Sequence, residues 1–133
     1  MNKHQEMAQV LRDDTSIHYN CNQAIVIPYA EELGLSKEQA FNLGFNFGGG
    51  MKCGSVCGAI TAGLMVLGMK GINDVSVLNE YYNAIKRNHD DFMECRDLLK
   101  SSAAKGIVKK THCDSMIAEC IGLVDELIEK NLK

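Results

Sequence analysis

The stretch Phe45-Asn-Phe-Gly-Gly-Gly-Met-Lys-Cys-Gly-Ser-Val-Cys-Gly-Ala-Ile-Thr-Ala-Gly-Leu-Met-Val-Leu-Gly68 decides how this chain folds. It opens on three glycines, Gly48 to Gly50, and runs into an apolar segment that carries Cys57, with Cys53 just before it. Neither this segment nor any other alternates apolar and polar residues in a sustained way, so it reads as a helix rather than a strand. Ser55 is the expected N-cap and Gly68 the expected end. Gly54, Gly58, Ala59, Ala62 and Gly63 leave room for a close neighbour: another backbone, a second cysteine or a metal centre.

Outward from this segment, Asn20 with Gln23 and Ser36 with Gln39 have the spacing of capping boxes. The first starts a helix to about Leu33, ahead of Gly34 and kinked at Pro28; the second starts one to Phe45 or Asn46. Residues 3 to 13 place Met7, Val10 and Leu11 at helical spacing. Leu78, Tyr81, Tyr82 and Ile85 form an apolar stripe over residues 76 to 88. Phe92, Cys95, Leu98 and Leu99 share a face of a helix that is continuous with it or restarts at Asp90. Ser101 to Lys110 reads as a linker. Thr111 then caps a last helix carrying Cys113, Met116, Ile117, Cys120, Leu123, Val124 and Leu127. The expected fold is all-α, a compact bundle of about five or six helices forming one domain over residues 1–133.

With 133 residues, 46% of them hydrophobic, the chain has the material for one packed core. Its formal charge of −3, with basic residues scattered, offers no nucleic-acid surface. Met1 to Met7 is polar and lacks the apolar region of a signal peptide. Val56 to Met69 is shorter than the ~20 residues a membrane-crossing helix needs. A soluble, cytoplasmic protein is therefore expected. In that compartment Cys21, Cys53, Cys57, Cys95, Cys113 and Cys120 do not read as a static disulfide framework.

If the caps hold, Cys21, Cys57 and Cys113 stand in first helical turns. Free N–H groups there favour thiolate over thiol and would stabilise a thiolate-ligated cluster. Cys95 reads as core or as ligand, and Cys120, on an apolar stripe, as core. Cys53 reads as a ligand, a resolving thiol or a loop residue. His112 reads as an exposed residue of the cap region; His4, His18 and His89 show no partner pattern. Phe45, Phe47 and the methionines read as core. No Cys-x-x-Cys pair occurs, so a thioredoxin-type motif and a zinc ribbon are not supported. Covalent haem attachment lacks its Cys-x-x-Cys-His signature, and the glycine loop lacks the Gly-Lys-Ser/Thr ending of a nucleotide-binding loop.

Taken together, Asn20-Cys21-x-x-Ala24, Phe47-Gly-Gly-Gly-Met51, Cys57-Gly-Ala-Ile-Thr-Ala-Gly-Leu-Met-Val-Leu-Gly68, Cys95-Arg-Asp-Leu-Leu99 and Cys113 resemble the C-GCAxxG-C-C family, whose members are described as redox-active. A related module is fused to haem domains in split-Soret cytochromes. The chain departs from the family's spelling with Val56-Cys57-Gly58-Ala59 and with Ala62 where a closing glycine is expected. The resemblance implies a helical, cysteine-based redox or metal-binding domain. Its four cysteines fall on Cys21, Cys57, Cys95 and Cys113, leaving Cys53 and Cys120 as extras.

Three expectations follow. In the first, Cys21, Cys57, Cys95 and Cys113 ligate an iron–sulfur centre, or zinc, and pass electrons to a redox partner protein. Gly48, Gly49, Gly50 and Gly58 would border that cofactor. In the second, Cys57 attacks with a depressed pKa and Cys53 or another cysteine resolves, with no metal. In the third, the protein is a scaffold whose thiols bind zinc or pack, and Ala59-x-x-x-Gly63 supports a homodimer. No acid–base pair names a reaction, so no defined enzyme is expected. The first expectation requires the four cysteines to converge where Cys57 begins the central helix.

Overall fold

Three reciprocal caps organise the first third of the chain. In the computed structural model, which describes residues 1–132, Asn2, Asn20 and Ser36 each accept a hydrogen bond from the N–H three residues on. The cap backbone N–H in turn donates to the side-chain oxygen of the glutamine at that position. These boxes satisfy free donors at the starts of α1 (Lys3–Asp13), α2 (Cys21–Tyr29) and α3 (Lys37–Phe45). α2 stops at Tyr29 rather than Leu33: Pro28, in its last turn, supplies no N–H to the helical ladder, and a turn follows that ends on left-handed Gly34.

After a turn at Gly50–Gly54 come α4 (Gly58–Met69), α5 (Val75–Asn88), α6 (Cys95–Ala104) and α7 (Lys109–Asn131). The described residues thus form seven α-helices, one or two more than expected. The difference arises at Asp90 and Asp91, which take left-handed φ of 53° and 68°, end α5 and separate it from α6. α6 also takes in residues 101–104, expected as linker, and α7 begins at Lys109 rather than after Thr111. No described helix is long and apolar enough to cross a membrane.

α2, α4 and α7 form the centre. From Asn22 to Tyr29 every residue of α2 is buried, which explains why its Ile25-Val26-Ile27 run has no polar face and is still a helix. α4 buries Ala59, Ile60, Ala62, Gly63, Val66 and Leu67, and α7 buries Met116, Ile117, Cys120, Ile121, Val124 and Leu127. A Cβ at Gly63 would overlap the hydroxyl of Tyr81 from α5, which donates to Ile60 O at 3.0 Å. Ala59 and Gly63 are thus taken up by packing within the chain.

Several side chains lie elsewhere than expected. Phe45 is exposed, with Lys52 Nζ 3.9 Å from its ring centroid, and Met7, Met51 and Met69 are exposed as well. His112 is buried rather than exposed, and its Nδ1 lies 2.6 Å from Ser102 Oγ. His4 stacks on Tyr29 with its two ring nitrogens 3.0 Å from Asp125 and Glu32, and His89 lies 2.7 Å from Glu119. Each of these partners is distant in sequence, so no local pattern announces it.

α1 is tied to α7 by Arg12 Nε, which donates to Asp114 Oδ1 at 2.7 Å, while Lys110 Nζ reaches Asp114 Oδ2 at 2.8 Å. Burial alone would raise the Asp114 carboxyl, but hydrogen bonds from Lys110, Arg12 and Gln9 outweigh it and hold the group below the ordinary value. A carboxylate lowered in the folded state contributes stability above its unfolded pKa and loses it as pH falls through the folded one. Asp114→Asn is therefore expected to melt below the wild type at pH 7, and the two melting temperatures to converge as pH falls below the ordinary carboxylate range. Thermal unfolding followed by circular dichroism at each pH checks this.

Candidate thiol site

The site begins with backbone. Gly49 and Gly50 are left-handed, each with φ of 63°, and Met51 and Lys52 continue at 56° and 58°. A side chain in that conformation costs about 1–2 kcal/mol per residue, so the two non-glycine positions are strained. The strain closes a single π-turn over Gly50–Gly54, with Ser55 N–H donating to Gly50 O at 2.9 Å. The chain then runs extended beside residues 93–95. Cys57 N–H donates to Met93 O at 2.9 Å, Cys95 N–H donates to Ser55 O at 2.6 Å, and Val56 bridges Glu94. This short antiparallel pairing brings the starts of α4 and α6, and with them Cys57 and Cys95, side by side.

The glycines allow the approach. A Cβ at Gly48 would lie 2.7 Å from Asn20 Cβ. One at Gly50 would overlap the Ser55 backbone and lie 2.8 Å from Cys95 Cβ. At Gly58 it would lie 2.8 Å from Phe47 O and 3.4 Å from Cys21 Cβ. Gly48, Gly50 and Gly58 are thus filled by protein, while Gly49 faces open space and serves through its φ alone.

Cys21 is the first residue of α2, as expected. Cys57 is the cap of α4 itself. Cys113 is not in a first turn, because α7 begins at Lys109; Cys95, first in α6, takes that third helix start instead. Cys21 and Cys113 lie close enough for each to perturb the ionisation of the other. Cys57 lies within electrostatic reach of Cys21, Cys95 and Cys113, and Cys95 of Cys113. Thiols from α2, α4, α6 and α7 therefore gather in one region. Cys53 is exposed, its Sγ 3.6 Å from Gly50 O, and Cys120 is fully buried in the core. All six cysteines are free. Among the described residues no three cysteine, histidine or acidic side chains group closely enough to hold a metal ion.

The charge states differ from the expectation for Cys57. Burial pushes its thiol up to about 11, against the pull of the Ala59 and Ile60 N–H groups. The helix-start donors act as expected, but desolvation outweighs them. Cys95 is raised by burial and by Cys113. Cys21 rises well above the ordinary thiol value, first through the hydrogen bond to Cys113 and then through burial. Cys113 is the exception. The neighbouring Cys21 thiol, helped by the charges of Arg12 and Lys109 and opposed by burial and Asp114, lowers it below the ordinary thiol value. The two sulfurs act as a unit that gives up its first proton easily and its second with difficulty. Arg12 escaped the sequence reading altogether, since nothing local links it to a cysteine a hundred residues away.

Comparison with known families covers this region. A family model described as "Putative redox-active protein (C_GCAxxG_C_C)" matches residues 19–127, a span that includes all six cysteines. No curated protein and no solved structure matches the chain.

Proposed function

The chain belongs to the C_GCAxxG_C_C family, and from that membership we propose that it is a dithiol–disulfide redox protein whose exchanging pair is Cys21 and Cys113. The observation that carries the reading is the joining of the two thiol-bearing segments by Arg12, which donates to Asp114 next to Cys113 and to Tyr19 O near Cys21, with the neighbouring Cys21 thiol lowering Cys113. A thiolate at neutral pH with a second thiol in contact combines nucleophile and resolving group. Cys113 is only 8% exposed, so a small oxidant suits the site better than a bulky one.

With a hydroperoxide the electrons balance. The Cys113 thiolate attacks the terminal peroxide oxygen, the O–O bond breaks, and the departing alkoxide or hydroxide takes a proton from water. Cys113 is left as a sulfenic acid. Cys21 sulfur then attacks Cys113 sulfur, the S–S bond forms, and the hydroxyl leaves as water with the Cys21 proton. Two electrons pass from the pair to the peroxide. A thiol reductant returns them by exchange. Cys57 and Cys95, both raised by burial, remain protonated neighbours.

The test is peptide mapping after one equivalent of hydrogen peroxide. A Cys21–Cys113 disulfide is expected, formed at a rate that rises with pH through a midpoint near 7. Recovery of both thiols free while another pair is oxidised would overturn the reading. The competing reading is an iron–sulfur centre at Cys21, Cys57, Cys95 and Cys113; the gathering of the four thiols supports it, although among the described residues no three cysteine, histidine or acidic side chains group closely enough to hold a metal ion. Stoichiometric iron and acid-labile sulfide in anaerobically purified protein, with all four thiols protected from alkylation, would favour that centre instead.

A further inference from the structure

We propose that Arg12 is the positioning residue of the Cys21–Cys113 pair, clamping together the two segments that carry the thiols and placing a buried positive charge beside them. The inference rests on the dithiol reading and extends it to a residue outside the stretch matched by the family, which begins at residue 19. Arg12 lies in the last turn of α1, and its side chain is only 9% exposed. Its Nε donates to Asp114 Oδ1 at 2.7 Å and its Nη1 donates to Tyr19 O at 2.8 Å. Asp114 follows Cys113 directly, and Tyr19 is two residues before Cys21. One guanidinium therefore joins the start of α2 to α7 at the level of the thiols. A planar fork with several donors suits this two-sided grip, whereas an ammonium would hold one side at a time.

The charge acts on both sulfurs. Arg12 opposes the rise of the Cys21 thiol and helps to lower that of Cys113. The other charged groups acting on Cys113 are Lys109, which assists, and Asp114, which opposes. The Asp114 carboxylate is itself engaged by Arg12, Lys110 and Gln9. Docking of α1 does not depend on Arg12 alone. Gln5 Nε2 donates to Ala118 O at 2.7 Å, and Asn2 and His4 reach Asp125, all at the opposite end of the helix. A buried guanidinium is costly to desolvate, so its placement at the thiol end points to a role there.

The experiment compares wild type, Arg12→Met and Arg12→Lys as full chains. Each is alkylated with iodoacetamide at pH 7 and at pH 10, and labelling is read site by site with exposed Cys53 as internal reference. Arg12→Met is expected to slow Cys113 about fivefold at pH 7, as a rise of one pKa unit from near the assay pH would. Cys53 should keep its rate, and the pH 10 rates should match the wild type. Arg12→Lys should recover part of the loss. An unchanged Cys113 rate in Arg12→Met would overturn the inference. So would faster labelling of Cys57 and Cys120 together, because that marks general loosening of the fold. If wild-type Cys113 reacts no faster than Cys53 at pH 7, the dithiol reading itself fails. If wild-type Cys113 is fast and Arg12→Met equally fast, only the role of Arg12 is lost.

Discussion

Cys21→Ala is expected to slow alkylation of Cys113 at pH 7 by about ten- to a hundredfold and to abolish the internal disulfide. A hydrogen bond to a charged group contributes about 1.5–3 kcal/mol, and each 1.4 kcal/mol is a factor of ten. Without the Cys21 donor, burial and Asp114 are opposed only by Arg12 and Lys109, and the thiolate at residue 113 loses its largest support. The reciprocal change behaves differently. In Cys113→Ala the Cys21 thiol remains buried, and no fast thiol appears in its place. Competitive labelling followed by mass spectrometry measures both. Cys57→Ala is the informative control: its thiol is raised to about 11, so removing it should leave the rate at residue 113 within about twofold. A Cys113 that stays fast without Cys21 would show that the contact between them is not what activates it.

Gly63→Ala is the second change with a large expected effect. The added methyl would enter the space of the Tyr81 hydroxyl and ring and lie 3.0 Å from Val124 Cγ2. Tyr81 is fully buried and its hydroxyl is held by Ile60 O, so it has no solvent-facing position to retreat to. Overpacking of this kind costs about 1–3 kcal/mol, and losing the Tyr81 hydrogen bond adds roughly 1 more. For a chain of this size the melting temperature should fall by about 10 °C. Tyr81→Phe removes the atom nearest to the new methyl, so the double variant should be more stable than the sum of the single losses predicts. Additive losses would place the strain elsewhere than between Gly63 and Tyr81.

Much of the fold was legible because it is written locally. The capping boxes at Asn20 and Ser36 and the Leu78–Ile85 stripe depend on residues three or four apart, and each begins or patterns a helix where expected. The break at Asp90 and Asp91 was one of two alternatives that the sequence left open, since it depends on left-handed backbone that apolar periodicity does not register. The pairing of residues 55–57 with 93–95 is too short to produce an alternating pattern, yet it sets Cys57 beside Cys95. The same holds for His4 and His112, whose partners come from other helices.

By itself, the sequence determined that the chain is helical and that it resembles the C_GCAxxG_C_C family, because caps, periodicity and motif spacing are properties of neighbouring residues. Which of the cysteines holds its proton was decided only by the tertiary structure. A helix start favours thiolate at Cys57, but depth of burial reverses that preference, and burial is not a local property. Cys113 stands away from a helix start and is nonetheless lowered, because the fold brings Cys21 and Arg12 to it from two other helices.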